Sequence, residues 1–264
     1  MDDIGKDIGT ARELLIDRDA RGVVRLTLNR PAAFNALSDS LLDALQAQIE
    51  ALRDDDSARV VILAGAGRAF CAGHDLREMI ADPGEEKMRA LFRKCSGVML
   101  GLQRLPVPVI ARVHGAAVAA GCQLVAACDL AVAARSARFA VSGINLGLFC
   151  STPSVALARA MPRKPALEML FTGDMIDAEE AARRFLVNRA VADASLDEEI
   201  ARIIEAIVAK PADALAIGKA QFYRHIEQDV AAAYETATEA MACNMASPSA
   251  RDGIAAFLDG RRKR

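Results

Sequence analysis

The chain has 264 residues, 53% of them hydrophobic and 26% charged, with no tryptophan and a formal net charge of −2. This composition excludes a disordered segment, offers no basic footprint for nucleic acid, and contains no apolar run near the roughly 20 residues that cross a bilayer. The length suits one large domain or a domain with a helical appendage.

The opening M-D-D-I-G-K-D-I-G is acidic and poor in apolar residues, unlike a signal or Arg-rich transit peptide. Val23 to Asn29 alternates apolar and polar, the period of a strand, and N-R-P breaks it. From Ser38, a candidate N-cap, the period changes: Leu41, Leu42, Leu45, Ile49 and Leu52 share one helical face. A charged loop over 53–59 leads to a short apolar strand at 60–63. The stripe Met88, Leu91, Phe92, Cys95, Val98, Met99, Leu102 predicts a long helix over 85–102. P-V-P-V-I-A-R-V (106–113) reads as a strand, H-G-A-A-V as a turn, 120–128 as a helix and 129–134 as a strand. Further on, Thr152-Pro153 looks like an N-cap followed by a helix-starting proline. Asp177-A-E-Glu180 and Ser195-L-D-Glu198 resemble capping boxes. After Val191 the pattern is helical almost throughout. Strands mixed with helices and then helices alone predict an α/β core over residues 1–195 and a helical region over 196–264.

Several chemistries lack their motifs. G-A-G-R-A-F misses the third glycine of a dinucleotide fingerprint, and there is no phosphate-binding P-loop. There is no G-x-S-x-G elbow, and His74, His114 and His225 have no metal-ligand spacing, so no metal is expected. The six cysteines (Cys71, Cys95, Cys122, Cys128, Cys150, Cys243) form no C-x-x-C and read as reduced thiols of a cytoplasmic protein. What remains is two loops, 65–79 and 114–124, each leaving a strand and approaching a helix through small residues. Small residues let a ligand approach backbone, and a first helical turn offers unpaired N–H donors. Two such donors aimed at one point would grip a carbonyl oxygen that becomes negative; close packing is the competing explanation.

Five stretches in order carry a resemblance: N-R-P-A-A-F-N-A-L (29–37), R-A-F-C-A-G-H-D-L-R-E-M (68–79), V-H-G-A-A-V-A-A-G-C-Q-L-V-A-A-C-D-L (113–130), R-K-P-A-L-E-M-L-F-T-G-D-M-I-D-A-E-E-A (163–181) and D-G-I-A-A-F-L-D-G-R-R (252–262). Through them the chain resembles the crotonase (enoyl-CoA hydratase/isomerase) superfamily. Its G-L-F-C-S-T-P run (147–153) resembles the subgroup of enoyl-CoA hydratase domain-containing protein three. The resemblance implies a crotonase-like spiral of β-β-α turns, a helical C-terminal trimerisation region, and a homotrimer or hexamer. It also implies an acyl-CoA thioester as ligand, with coenzyme A as part of the substrate and no separate cofactor. The backbone N–H groups of His74 and Ala120 would be the oxyanion donors. Adenine would lie near Ala32, Phe34 and Ala72, with Asp75 and Leu76 beside them. Arg30 and Arg77 would face phosphates, and the tail around Phe257 and Arg261 would reach a neighbouring subunit.

Two departures stand out. The two glutamates that activate water in hydratases fall at Gln123 and Gly143, neither of which ionises. Each missing acid–base group is worth about 10²- to 10⁴-fold, so ordinary hydration is expected to be weak or absent. Gln123 either positions ligand or water, or satisfies backbone at the helix start. Cys150 and Ser151, on the turn after L-G, are candidate working groups; Cys150 is either a thiolate lowered by the helix start or a packed thiol, and Thr152 a cap. His74 is a ready proton carrier if its side chain points inward, and Asn145 a candidate hydrogen-bonding group. The surviving alternatives are an enolate-forming enzyme of decarboxylase type and an acyl-CoA-binding trimer without catalysis.

Overall fold

A computed structural model describes residues 12–262, with side chains to residue 260; the acidic N-terminal stretch, the side chain of Arg261 and the end of the basic tail lie outside the described residues. Strands β1 (Leu14–Arg18) and β2 (Val23–Leu28) pair antiparallel. Helix α1 (Asp39–Arg53) follows, capped by Ser38, whose side chain accepts from the Leu41 amide at 3.1 Å. Strand β3 (Val60–Gly65) is buried throughout, then come helices α2 (Leu76–Ala81) and α3 (Glu85–Arg104). Strands β4 (Val109–Val113) and β5 (Ala116–Val118) precede helix α4 (Ala120–Ala127). Strands β6 (Leu130–Ala134) and β7 (Arg138–Ala140) precede helices α5 (Ser151–Ala160) and α6 (Arg163–Thr172). Strand β8 (Ile176–Asp177), helix α7 (Ala178–Arg183) and strand β9 (Arg189–Val191) lead to the C-terminal helices α8 (Leu196–Val208), α9 (Ala212–His225), α10 (Val230–Met245) and α11 (Pro248–Arg262).

One sheet has the order β1-β2-β3-β4-β6-β9, parallel from β2 onward; a second has the order β5-β7-β8. Isolated parallel bridges, Cys71 to Ala117 and Leu37 to His74, extend the second sheet's edge. Each pass of the chain thus lays a strand in the first sheet and a rung in or beside the second before turning into helix, which is the β-β-α spiral. The turn expected at 114–118 holds at Gly115, which has φ 59°, but 116–118 is a strand: β5 pairs with β7 and hydrogen-bonds Cys71, partners that local sequence does not reveal. Along β3 the alternation separates two cores. Val61 and Leu63 pack with α1, α3 and α4, while Val60 and Ile62 meet Leu196, Ile200 and Ile204 of α8. A parallel sheet covered on both faces needs such unbroken apolar strands. Helix α8, which sequence assigns to the helical region, is thus a layer of the core; α9 and α10 contain no buried residues.

Two expected caps differ. Asp177 does cap α7, accepting from the Glu180 amide at 2.7 Å. Ser195 makes no side-chain cap bond, because a 3-10 turn over Asp193–Ser195 runs straight into α8. Helix α5 starts one residue before Thr152, with Cys150 at its N-cap and no side-chain bond there.

A buried ion pair fastens α9 to the core. Lys219 Nζ lies 2.6 Å from Asp129 Oδ2 and donates to the Leu102 and Val107 carbonyls, each at 2.9 Å. Asp129 also accepts from the Val109 amide at 2.7 Å and from the Tyr223 hydroxyl at 2.8 Å. Removing one member strands the other charge in a dry place, so Lys219→Met is expected to lose about 3–5 kcal/mol of stability, read as a lower urea midpoint.

Candidate functional site

The two small-residue loops converge. In the bridge at Leu37, the Leu37 amide donates to the Gly73 carbonyl at 2.8 Å and the Leu37 carbonyl accepts from the Asp75 amide at 3.1 Å. Those bonds flank His74, so its own N–H points to the opposite side, as alternation along an extended segment requires. On the other loop, Ala119 takes φ 49° and ψ −117°, a conformation unusual for a residue with a Cβ. Such backbone costs about 1–3 kcal/mol and persists where surrounding contacts hold it. Its amide is fixed by the Ala140 carbonyl at 2.8 Å, and α4 starts at the next residue, leaving the Ala120 N–H without an intrahelical acceptor. Two glycines set the approach. A Cβ on Gly73 would lie 3.0 Å from Ala119 Cβ and 3.4 Å from the Ala120 nitrogen; one on Gly121 would lie 2.1 Å from the Cys71 carbonyl oxygen.

Gln123 sits one turn into α4, on the face of Ala119 and Ala120, and is 3% exposed. Its Oε1 is buried with no hydrogen-bond partner, and so are both ring nitrogens of His74. The His74 ring stands edge-on to Phe92 of α3 at 5.4 Å. Burial lowers its pKa to about 4, so the ring is neutral around pH 7. The unfolded chain takes up a proton that the folded ring refuses. The stability so gained is complete above the unfolded value near 6.5 and is lost as pH falls toward 4. The loss is expected to reach about 3 kcal/mol, and His74→Phe to flatten it, in urea titrations at neutral and acidic pH.

The second glutamate position is closed. A Cβ on Gly143 would meet the Leu148 carbonyl oxygen at 2.6 Å and Cys150 Sγ at 2.7 Å. The Leu148 amide donates to the Gly143 carbonyl at 3.0 Å, so the 143–150 loop folds back over this point. Burial pushes the Cys150 thiol up, against a smaller lowering by the Gly143 backbone, which favours the packed thiol over the thiolate. Ser151 is exposed and its hydroxyl reaches only the Phe149 carbonyl, at 3.4 Å. Asn145 is exposed against Gly173 at the end of α6.

The residues expected around adenine form an exposed group: the Ala72 amide donates to the Phe34 carbonyl at 3.0 Å, and Ala32 lies in the 3-10 turn just before Phe34. Arg68 stacks over the Phe34 ring at 4.4 Å. Arg30 is committed elsewhere, to Glu13 and Asp75 at 3.0 Å each and to the Ala36 carbonyl at 2.6 Å. Asp75 also caps α2 through the Arg77 amide at 3.1 Å, while Leu76 and Arg77 are exposed. Phe257, 62% exposed on α11, lines a surface hollow between α10 and α11 whose walls include none of these residues.

Sequence reading missed Asn35. It is fully buried at φ 56°, and its amide donates to the carbonyls of Ala66 and Ala69, each at 2.8 Å, while accepting from the Arg30 amide at 2.9 Å. It therefore pins the first loop; the signal was a polar residue inside F-N-A-L, where Asn tolerates left-handed backbone. Also missed was a groove of about 570 Å³ along α3, lined by Met88, Phe92, Gly97 and Leu100 and by Thr152 of α5. Met88 and Phe92, expected in the core stripe, stay half-buried to form its floor. Among the described residues no group of His, Cys, Asp and Glu has the geometry of a metal site, and no helix is long and apolar enough to cross a membrane.

The sequence matches the enoyl-CoA hydratase/isomerase family over residues 18–264. It is 45% identical to human enoyl-CoA hydratase domain-containing protein 3, mitochondrial, over 93% of this chain and 81% of that protein. The fold is similar to an enoyl-CoA hydratase from Mycobacterium smegmatis, with a TM-score of 0.93, 60% identity, and 94% and 96% of the two chains covered. It is similar to the crystal structure of the human domain-containing protein 3, with a TM-score of 0.91, 44% identity, and 94% and 98% covered. The cytoplasmic location expected from reduced cysteines is corrected by these relatives. The human protein and its vertebrate counterparts are named as mitochondrial, which points away from the cytoplasm. Free thiols mark a reducing compartment without saying which one. Motif order, spiral topology and similarity along nearly the whole length lead to one conclusion: the chain belongs to the enoyl-CoA hydratase/isomerase family, within the crotonase superfamily.

Proposed function

We propose that this protein binds an acyl-CoA thioester and stabilises the negative charge that develops on its carbonyl oxygen between the backbone N–H groups of His74 and Ala120, with ordinary hydration weak or absent. The observation that carries this is the approach of the two loops: Gly73, next to His74, abuts the first amide of α4, and the bridge at Leu37 turns the His74 N–H away from its neighbours. One such donor contributes roughly 3–4 kcal/mol to a transition state. The exposed backbone around Ala32, Phe34 and Ala72 suits the adenine. Asp75 and Leu76 shape its floor through α2 rather than by charge, since Asp75 is paired. The groove along α3 suits the acyl chain.

Residues 1–195 together with α8 would form the acyl-CoA-binding core, and the helices after α8, to residue 264, the oligomerisation region of a trimer or hexamer. The exposed apolar side chains of the last three helices, among them Phe222, Tyr234, Met241 and Phe257, support that reading. A second reading, an acyl-CoA-binding protein without turnover, draws support from the closed position at Gly143 and the protonated Cys150. Parallel binding and turnover assays with crotonyl-CoA, malonyl-CoA and 3-hydroxybutyryl-CoA separate the two. Binding with turnover of any of them supports an enzyme, binding without turnover supports the carrier, and absence of binding by all three overturns both.

A further inference from the structure

The groove along α3 carries an unbalanced charge. One face of α3 lines it, and on that face Met88, Phe92 and Leu100 are apolar while Arg93 and Ser96 are not. Thr152 of α5 lines it from the other side. Among the described residues the Arg93 guanidinium and the Ser96 and Thr152 hydroxyls have no hydrogen bond or ion pair within the protein. The other two charges on the groove cancel, because Arg89 is held by Glu85 and by Glu86 beside it. The groove therefore offers one uncompensated cation and no uncompensated carboxylate. Helix α5 adds to the same sign: its N-cap Cys150 makes no side-chain bond, and its first turn has no acidic residue.

We propose that this groove selects short dicarboxylic acyl groups, pairing the carboxylate at the far end of the chain with Arg93 while the methylenes lie on Met88 and Phe92. This rests on the acyl-CoA reading above and names the class of acyl group.

A carboxylate is acceptor-only and can take donors from the guanidinium fork and from both hydroxyls at once. Serine and arginine three positions apart on a helix are surface neighbours, so Ser96 stands beside Arg93. An alkyl end of the same length would instead bring hydrocarbon against these donors and withdraw their water. Position along the groove sets the length. Phe92 packs edge-on against the His74 ring at 5.4 Å, and the His74 backbone N–H is one of the two donors assigned to the thioester carbonyl. Arg93 and Ser96 lie within about one helical turn of Phe92. The carboxylate would thus sit a short chain away from the carbonyl. The phosphates of coenzyme A are the other anions of the ligand, but Ala32, Phe34 and Ala72, the residues assigned to its adenine, do not line this groove.

Calorimetry on the full-length protein compares glutaryl-CoA and adipyl-CoA with butyryl-CoA, hexanoyl-CoA and free coenzyme A. At least one dicarboxylic thioester is expected to bind about tenfold more tightly than both uncharged acyl thioesters, with a preference that shrinks as salt is raised. Arg93→Gln is expected to bring the ratio toward one and Arg93→Lys to keep part of it. Both change an exposed helix position and are expected to fold. Lys87→Gln removes an exposed charge on the same helix outside the groove and is expected to keep the preference. Equal or weaker binding of both dicarboxylic thioesters by the unsubstituted protein overturns the proposal, and so does a preference that survives Arg93→Gln. A loss in Arg93→Gln of equal size for free coenzyme A and for every thioester assigns Arg93 to the coenzyme phosphates and overturns it as well. If none of the four thioesters binds, the acyl-CoA reading fails and takes the proposal with it, whereas binding without preference overturns the proposal alone.

Discussion

Crotonyl-CoA is expected to be hydrated at least about 10⁴-fold more slowly by this protein than by a relative that carries both carboxylates, since each acid–base group contributes about 10² to 10⁴. The two positions differ in what a reverting substitution can recover. Gln123→Glu is nearly isosteric, at a site where the amide oxygen already lies buried beside the proposed carbonyl position. It is expected to raise the hydration rate by up to about 10²-fold. Gly143→Glu is expected to add nothing and to destabilise, because a Cβ there falls 2.6 Å from the Leu148 carbonyl and 2.7 Å from Cys150 Sγ. A glutamate has no route from that backbone until the 143–150 loop moves. Steady-state hydration rates of the two single variants and the double variant check this: a double variant near the rate of two-carboxylate relatives would show that the closure at Gly143 is not a barrier.

Gly121→Ala carries the second large effect, in a direction opposite to helix propensity. An alanine inside a helix is ordinarily favoured over glycine by about 1 kcal/mol. At Gly121 the new methyl would stand 2.1 Å from the Cys71 carbonyl, so α4 and the first loop must separate. That separation pulls one amide away from the other. Overpacking is expected to cost about 1–3 kcal/mol of stability, and the loss of one donor about 10²- to 10³-fold in turnover of any thioester the protein converts. Gly218→Ala on α9 is the control: nothing lies within 4 Å of its Cβ, and it is expected to keep activity while gaining stability. Thermal melts and turnover of the pair separate the contact from a general sensitivity to alanine.

The elements with strong periodicity were legible in the sequence. The α1 face from Leu41 to Leu52, the α3 stripe and the apolar run of β3 stand where their patterns place them. Elements defined by a distant partner were not. Strand β5 is three residues, Ala-Ala-Val, defined by its pairing with β7 on one side and Cys71 on the other, and the Ser195 box fails because a 3-10 turn occupies the place of an extended cap. The site was half legible. Small residues marked both loops, and Gln123 and Gly143 stood out against the resemblance. Three contacts were not readable: Asn35 reaching across to Ala66 and Ala69, Gly121 pressed on Cys71, and Cys150 filling the space beside Gly143. Each joins residues that lie at least seven positions apart in sequence, where local pattern has nothing to report. The unpaired state of the His74 ring is likewise a property of its neighbours and not of the residue.

The most direct measurement is the carbonyl stretching frequency of a bound, ¹³C-labelled acyl-CoA thioester by difference infrared spectroscopy. Two converging N–H donors polarise the carbonyl, so the band is expected at lower frequency than in free thioester and to return toward the free position in Gly121→Ala. A thioester that binds tightly to the unsubstituted protein with its carbonyl band unshifted would contradict the account.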